Sequence, residues 1–192
     1  MRYWAVGLAC VGGLLMAGTP VVKSVPDPGD VVPWEKHFRA VAGVYWIERA
    51  AQSRAECGWN QYARSPVGAE GPIQVMPTTW KWWVDMKWVD PRANAYTIPE
   101  CLKGQNLHML WLRRYWTDLD RRLGAYNAGQ GSILKADRYA KEIGYEGNHG
   151  WLQALVRVTG PQNQRETQGY IDHNLAFRTA IFNDLKKINK LP

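Results

Sequence analysis

Trp34, Phe38, Val41 and Tyr45 recur every three or four residues, a spacing that predicts an amphipathic helix from about Trp34 to Ala55, with Glu56 delivered near its C-terminal end. The pattern then breaks. Ser65 to Pro72 is dense in turn formers, and Ile73-Gln74-Val75-Met76 alternates before Pro77, which predicts a loop leading into a short β or irregular segment. Thr78 or Thr79 is placed to cap the helix that follows. Leu102, Leu107, Leu110, Trp111 and Tyr115 predict another helix across positions 100–116, succeeded by a polar, charged stretch from Asp118 to Arg122. Gly124 and Gly129 flank a compact turn or helix start, and Tyr139 precedes a Gly-rich loop from Gly144 to Gly150. Tyr170, Ile171, Leu175, Phe177, Ile181 and Leu185 mark a final long helix from Thr167 to Ile188, ending in a Lys-rich tail. The fold class expected is mostly α, of the α+β kind: a single globular helical domain over residues 34–192 with one short β or irregular segment.

The first residues follow a different pattern. Arg2 precedes an uncharged run from Tyr3 to Val22, which reads as an apolar helix serving as a signal peptide or membrane anchor over residues 1–23. Its length is close to the ~20 residues that span a bilayer. Pro20 after Ala17-Gly18-Thr19 is a poor start for a mature chain, so retention as an anchor is an open alternative to cleavage. Residues 24–33, with Pro26, Pro28 and Gly29, form a linker that breaks both helix and strand. The expected location is therefore the periplasm or cell envelope, with the membrane as a partner through this segment.

Composition narrows the chemistry. A formal charge of +7 predicts attraction to polyanions, among which nucleic acid, an anionic membrane and a bacterial cell wall are alternatives. No nucleic-acid-binding motif is present, and nucleic acid is not an expected partner. Eleven Trp are many for 192 residues, and indole faces pack on apolar cores or on the C–H faces of sugar rings. The four histidines, His37, His108, His149 and His173, are scattered without ligand spacing, so no metal and no cofactor is expected. Of the three cysteines, Cys10 lies in the N-terminal run, which leaves Cys57 and Cys101 as a disulfide pair for a domain outside the cytoplasm.

Four separated motifs carry a more specific signal. Glu56-Cys57-Gly58-Trp59-Asn60 is similar to Glu-Ser-x-Phe-Asn, and the stretch from Ser65 to Pro77 to Ser-Pro-x-Gly-Ala-x-Gly-Leu-Met-Gln-x-Met-Pro. Ala125-Tyr126-Asn127-Ala128-Gly129 matches Ala-Tyr-Asn-Ala-Gly, and Glu166-Thr167-Gln168-Gly169-Tyr170-Ile171 is close to Glu-Thr-x-x-Tyr-Val. In this order the motifs resemble those of the soluble, lysozyme-like lytic transglycosylases, over roughly residues 38 to 185. The resemblance implies a lysozyme-like fold and cleavage of the β-1,4 bond between N-acetylmuramic acid and N-acetylglucosamine, with peptidoglycan glycan strands as partner.

Breaking a glycosidic bond requires an acid for the leaving oxygen and stabilisation of an oxocarbenium-like centre. The resemblance implies one carboxylate here, Glu56, acting first as acid and then as base. The substrate's N-acetyl group would assist, and its 6-hydroxyl would close a 1,6-anhydro product. An ordinary glutamate titrates at about 4.3, so such an acid needs an apolar setting, for which Trp59, Met76 and Tyr126 are candidates. Substrate contacts are implied for Ser65, Gln74, Met76, Tyr126, Glu166 and Tyr170. Residue by residue the plainer readings stand beside these: Ser65 capping a turn, Gln74 satisfying loop backbone, Gly71 as a turn glycine, Tyr126 as core. Glu48 reads as a surface or salt-bridge residue. The chain departs from the pattern at Cys57 in place of Ser, at Pro72-Ile73 in place of Leu-Met, and at Glu70, where a small or basic residue is common. Two other functions compete: a hydrolytic muramidase on the same fold, and a catalytically weak membrane-anchored assembly protein of a virion or secretion apparatus.

Overall fold

The computed structural model describes residues 31–145, 150–188 and 190–191. The N-terminal apolar segment and residues 24–30 of the expected linker lie outside them. The last linker residues do not behave as a spacer: Val32 is fully buried and joins the core. Among the described residues, no helix is long and apolar enough to cross a membrane.

The helices are α1 (Glu35–Ala42), α2 (Trp46–Cys57), α3 (Pro77–Asp85), α4 (Ile98–Leu112), α5 (Leu119–Ala128), α6 (Gln130–Glu142), α7 (Gly150–Thr159) and α8 (Pro161–Lys187). The single helix expected up to Ala55 is two. The chain reaches φ 52 and ψ −123 at Gly43, a backbone conformation a Cβ disfavours, and a 3-10 turn over Gly43–Tyr45 separates α1 from α2. The expected Thr cap on α3 is also replaced. Met76 is the extended N-cap residue and Pro77 opens the helix, its fixed φ suited to the first turn and its missing N–H costing nothing there. The β content among the described residues is two antiparallel bridge pairings, Arg64 with Glu70 and Glu70 with Val75.

Among the described residues there are two compact units, one comprising residues 31–108 and 173–191 and the other residues 109–145 and 150–172. In the first, Phe38, Trp46, Ala50, Ile73, Trp83, Leu102, Ile181 and Leu185 form one buried apolar cluster. Trp83 lies so close over Gly104 of α4 that a Cβ there would overlap its ring. A polar layer runs through the same unit. Arg49 and Gln52 of α2 are fully buried; Gln105 Nε2 donates to Gln52 Oε1 at 3.1 Å and to the Arg49 carbonyl at 3.2 Å, while Asn106 Nδ2 donates to the Val41 carbonyl at 2.7 Å.

In the second unit α6 packs on both α5 and α7. The charged stretch after residue 117 is the start of α5, whose Asp118 caps it by accepting from the Arg121 N–H. Asp137 of α6 accepts from Trp116 Nε1 at 2.7 Å and from Arg121 Nε at 3.0 Å. Gly124 is a helix-interior residue, where a Cβ would stand 2.7 Å from the buried Trp151 ring. Helix α7 carries that ring with Leu152, Ala154 and Leu155 into the core.

Candidate active site

Glu56 stands one residue before the end of α2, which Gly58 closes by donating its N–H to the Arg54 carbonyl. Arg49, Gln52, Ser53 and Glu56 recur at helical spacing, so α2 presents a polar face. Both carboxylate oxygens of Glu56 are withdrawn from solvent. The turn that carries them is tied to the following loop at one atom, the carbonyl oxygen of Pro72. Ser53 Oγ donates to it at 2.7 Å and Cys57 Sγ at 3.2 Å. Ser53 has no place in the sequence motifs, and its part in holding this turn follows only from the tertiary contact.

The loop is braced from within. Ser65 Oγ accepts from the Ala69 N–H at 2.9 Å, and the backbones of Ser65 and Ala69 bond again at 2.9 Å. Gln74 has φ 46, and its amide Nε2 donates to the carbonyls of Gly71 and Ala63 at 3.0 and 3.3 Å. The plainer readings of both residues are therefore realised as hydrogen bonds, which also hold each side chain in one position. Gly71, with φ 76, lies where a Cβ would overlap the Ala95 carbonyl, so its glycine is required by the chain segment pressed against it.

Of the side chains considered as an apolar setting for Glu56, Trp59 turns back on α2. Its Nε1 donates to the Ala50 carbonyl at 2.9 Å, and Arg54 lies over its ring at 5.1 Å. Met76 is half-buried.

Cys57 and Cys101, expected as a disulfide, are free thiols. The Cys57 sulfur faces carbonyl oxygens, those of Pro72, Asn60 and Ser53, and Cys101 is hydrogen-bonded to the backbone of Ile73. Burial pushes the Cys57 thiol up to about 12, with the Glu56 charge adding to the rise, and burial likewise raises Cys101.

Tyr126, Glu166 and Tyr170 belong to the other unit. Tyr126 is half-buried in α5, and its neighbour Asn127 accepts from Thr167 of α8 at 3.0 Å, so one hydrogen bond joins the third and fourth motifs. Glu166 accepts from Gln162 Nε2 at 3.0 Å in the first turns of α8. Tyr170 is a core residue with its hydroxyl buried. Glu48 of α2 pairs with Arg49 at 3.7 Å. Among the described residues no cluster of His, Cys, Asp and Glu could hold a metal ion.

This arrangement is a helix-borne carboxylate held against a braced Ser-to-Gln loop within a helical fold. Residues 48–147, more than half of the chain, match the transglycosylase SLT domain, and the chain belongs to that family. The matched stretch holds the first three motifs. The fold is similar to the crystal structure of the 70 kDa soluble lytic transglycosylase from Escherichia coli, at 20% identity and a TM-score of 0.65, covering 79% of this chain and 24% of that one. A complex of the 70 kDa soluble lytic transglycosylase with bulgecin A matches at 20% identity and a TM-score of 0.64, covering 80% and 24%. The chain thus spans about a quarter of the length of these structures.

Proposed function

We propose that the chain is a peptidoglycan lytic transglycosylase with Glu56 as its lone catalytic acid and base. The observation that carries this reading is the Glu56 carboxylate, drawn out of water at the end of α2, on a turn steadied by the two hydrogen bonds that Ser53 and Cys57 donate to the Pro72 carbonyl. Withdrawal from water favours the neutral carboxyl that a general acid needs.

In the reaction we infer, Glu56 gives its proton to the glycosidic oxygen as the bond to muramic acid C1 breaks. The N-acetyl carbonyl of the muramic acid supports the developing positive charge. The Glu56 carboxylate then takes the proton of the 6-hydroxyl as that oxygen attacks C1, which closes the 1,6-anhydro ring and restores the acid. Gln74 and Ser65 serve as substrate contacts because their bonds to loop backbone hold them in place. Tyr126, Met76, Glu166 and Tyr170 are assigned supporting roles on the strength of the motifs. Export to the cell envelope, with the N-terminal segment as signal or anchor, would bring the enzyme to this substrate.

The test is digestion of purified sacculi by the wild-type protein and by Glu56→Gln. Wild type should release muropeptides with 1,6-anhydromuramic ends, read by mass spectrometry, while the folded variant releases none. Reducing ends would identify a hydrolytic muramidase. Full function of the variant in an assembly assay would favour the structural alternative.

A further inference from the structure

Beside the braced loop lies a cluster that the reaction above does not use. Tyr62 is 63% exposed, a large amount for an aromatic ring, and packs at 6.1 Å between centroids and 32° between planes against Tyr96. Gln61 Nε2 fixes that second tyrosine by donating to its carbonyl at 2.8 Å. The Tyr96 hydroxyl is hydrogen-bonded to the Glu70 carboxylate, and burial together with the Glu70 charge raises the phenol, which keeps it a donor. Glu70 in turn pairs with Arg64 Nε at 3.5 Å, and the Arg64 side chain is 70% exposed.

The cluster is continuous with the candidate site. Arg64 adjoins Ser65, and Glu70 pairs by backbone with Val75, the neighbour of Gln74. The Ala63 carbonyl, between Tyr62 and Arg64, accepts from both the Gly71 N–H and Gln74 Nε2. A ligand ring on Tyr62 would therefore meet a surface whose geometry is set before binding.

We propose that Tyr62 and Tyr96, with Arg64 and Glu70 at their edge, form an additional subsite for an N-acetylhexosamine ring of the glycan strand. This inference rests on the peptidoglycan reading and extends it. Aromatic faces pack on the C–H faces of pyranose rings, and the guanidinium and carboxylate offer donors and an acceptor to hydroxyl and acetamido groups. Charge selects the sugar over the stem peptide. Arg64 is balanced by Glu70, so the patch offers a neutral ring polar partners without a net charge to draw peptide carboxylates.

The experiment measures binding of peptide-free murein glycan strands and of intact muropeptides to the Glu56→Gln protein, with and without Tyr62→Ala. The expected result is a loss of about five- to tenfold in affinity for the peptide-free strands. Tyr62→Phe, which keeps the ring, should bind like the parent. With the catalytic acid restored, Tyr62→Ala should raise KM and leave kcat nearly unchanged. Unchanged binding of peptide-free strands, or a loss confined to peptide-bearing fragments, overturns the subsite. Wild type that leaves sacculi intact overturns the peptidoglycan reading and this inference with it, whereas cleavage by wild type with an indifferent Tyr62→Ala overturns the inference alone.

Discussion

Ser53 donates its hydroxyl to the carbonyl oxygen of Pro72 at 2.7 Å, which fixes α2 one turn before Glu56 to the loop that ends in Gln74. Cys57 shares the same acceptor from the other side of Glu56. The acid is thus held between two donors on one oxygen, and the carbonyl has a partner as long as either donor remains.

Single substitutions should accordingly cost less than the pair. Ser53→Ala or Cys57→Ala alone should lower stability by about 1 kcal/mol, in the range of one buried hydrogen bond. The double variant leaves the Pro72 carbonyl bare and should exceed the sum of the singles, with kcat falling further than KM rises. Urea denaturation of all four proteins in a double-mutant cycle checks this, and simple additivity would count against a shared acceptor.

Gly71→Ala should be strongly destabilising. The new methyl would overlap the Ala95 carbonyl at a positive φ that alanine disfavours, so the cost exceeds about 1 kcal/mol. The loop carries Gln74, so activity should fall at temperatures where circular dichroism still reports native helix content.

His108 makes stability depend on pH. It is half-buried, with the rings of Trp82, Trp83 and Trp88 at 5.0, 5.9 and 6.4 Å, and the loss of water around the imidazole lowers its pKa to about 3. The folded protein holds the neutral imidazole, while the unfolded chain takes up a proton below the ordinary value of about 6.5. This contribution is therefore complete above that value and declines as pH falls from about 6.5 toward 3, by roughly 1.4 kcal/mol per unit. Between pH 7 and pH 5 wild type should lose about 2 kcal/mol more than His108→Phe in urea titrations; parallel pH dependences would sink the idea.

The thiols should be silent in the native state. With Cys57 at about 12 and Cys101 raised by burial, neither forms appreciable thiolate at pH 8. Iodoacetamide followed by mass spectrometry should add no label at these two residues in the folded reduced protein and one label at each after unfolding. Fast labelling of Cys57 in native conditions would contradict its burial against Pro72.

Some of this architecture was open to a reading of single positions. The apolar spacing in α4 and in the C-terminal half of α8 belongs to one face of one helix, a local property. The break at Gly43 was hidden because the apolar repeat runs through it to Tyr45, and helical periodicity does not register a single residue's φ. Helix α7 follows a Gly-rich stretch that suggested only loop, and its core face depends on packing against α6. The cap of α3 went to Met76 and Pro77 because the proline had already set the backbone of the first turn.

By itself the sequence determined the family resemblance, the helical class and the identity of the candidate acid, because each motif is a short run whose order survives in the linear chain. Only the tertiary structure decided what steadies Glu56, why residue 71 must be glycine, and that Cys57 faces carbonyl oxygens as a free thiol. Those outcomes depend on atoms many residues apart arriving at one oxygen or one ring face, and no periodicity along the chain encodes such a meeting.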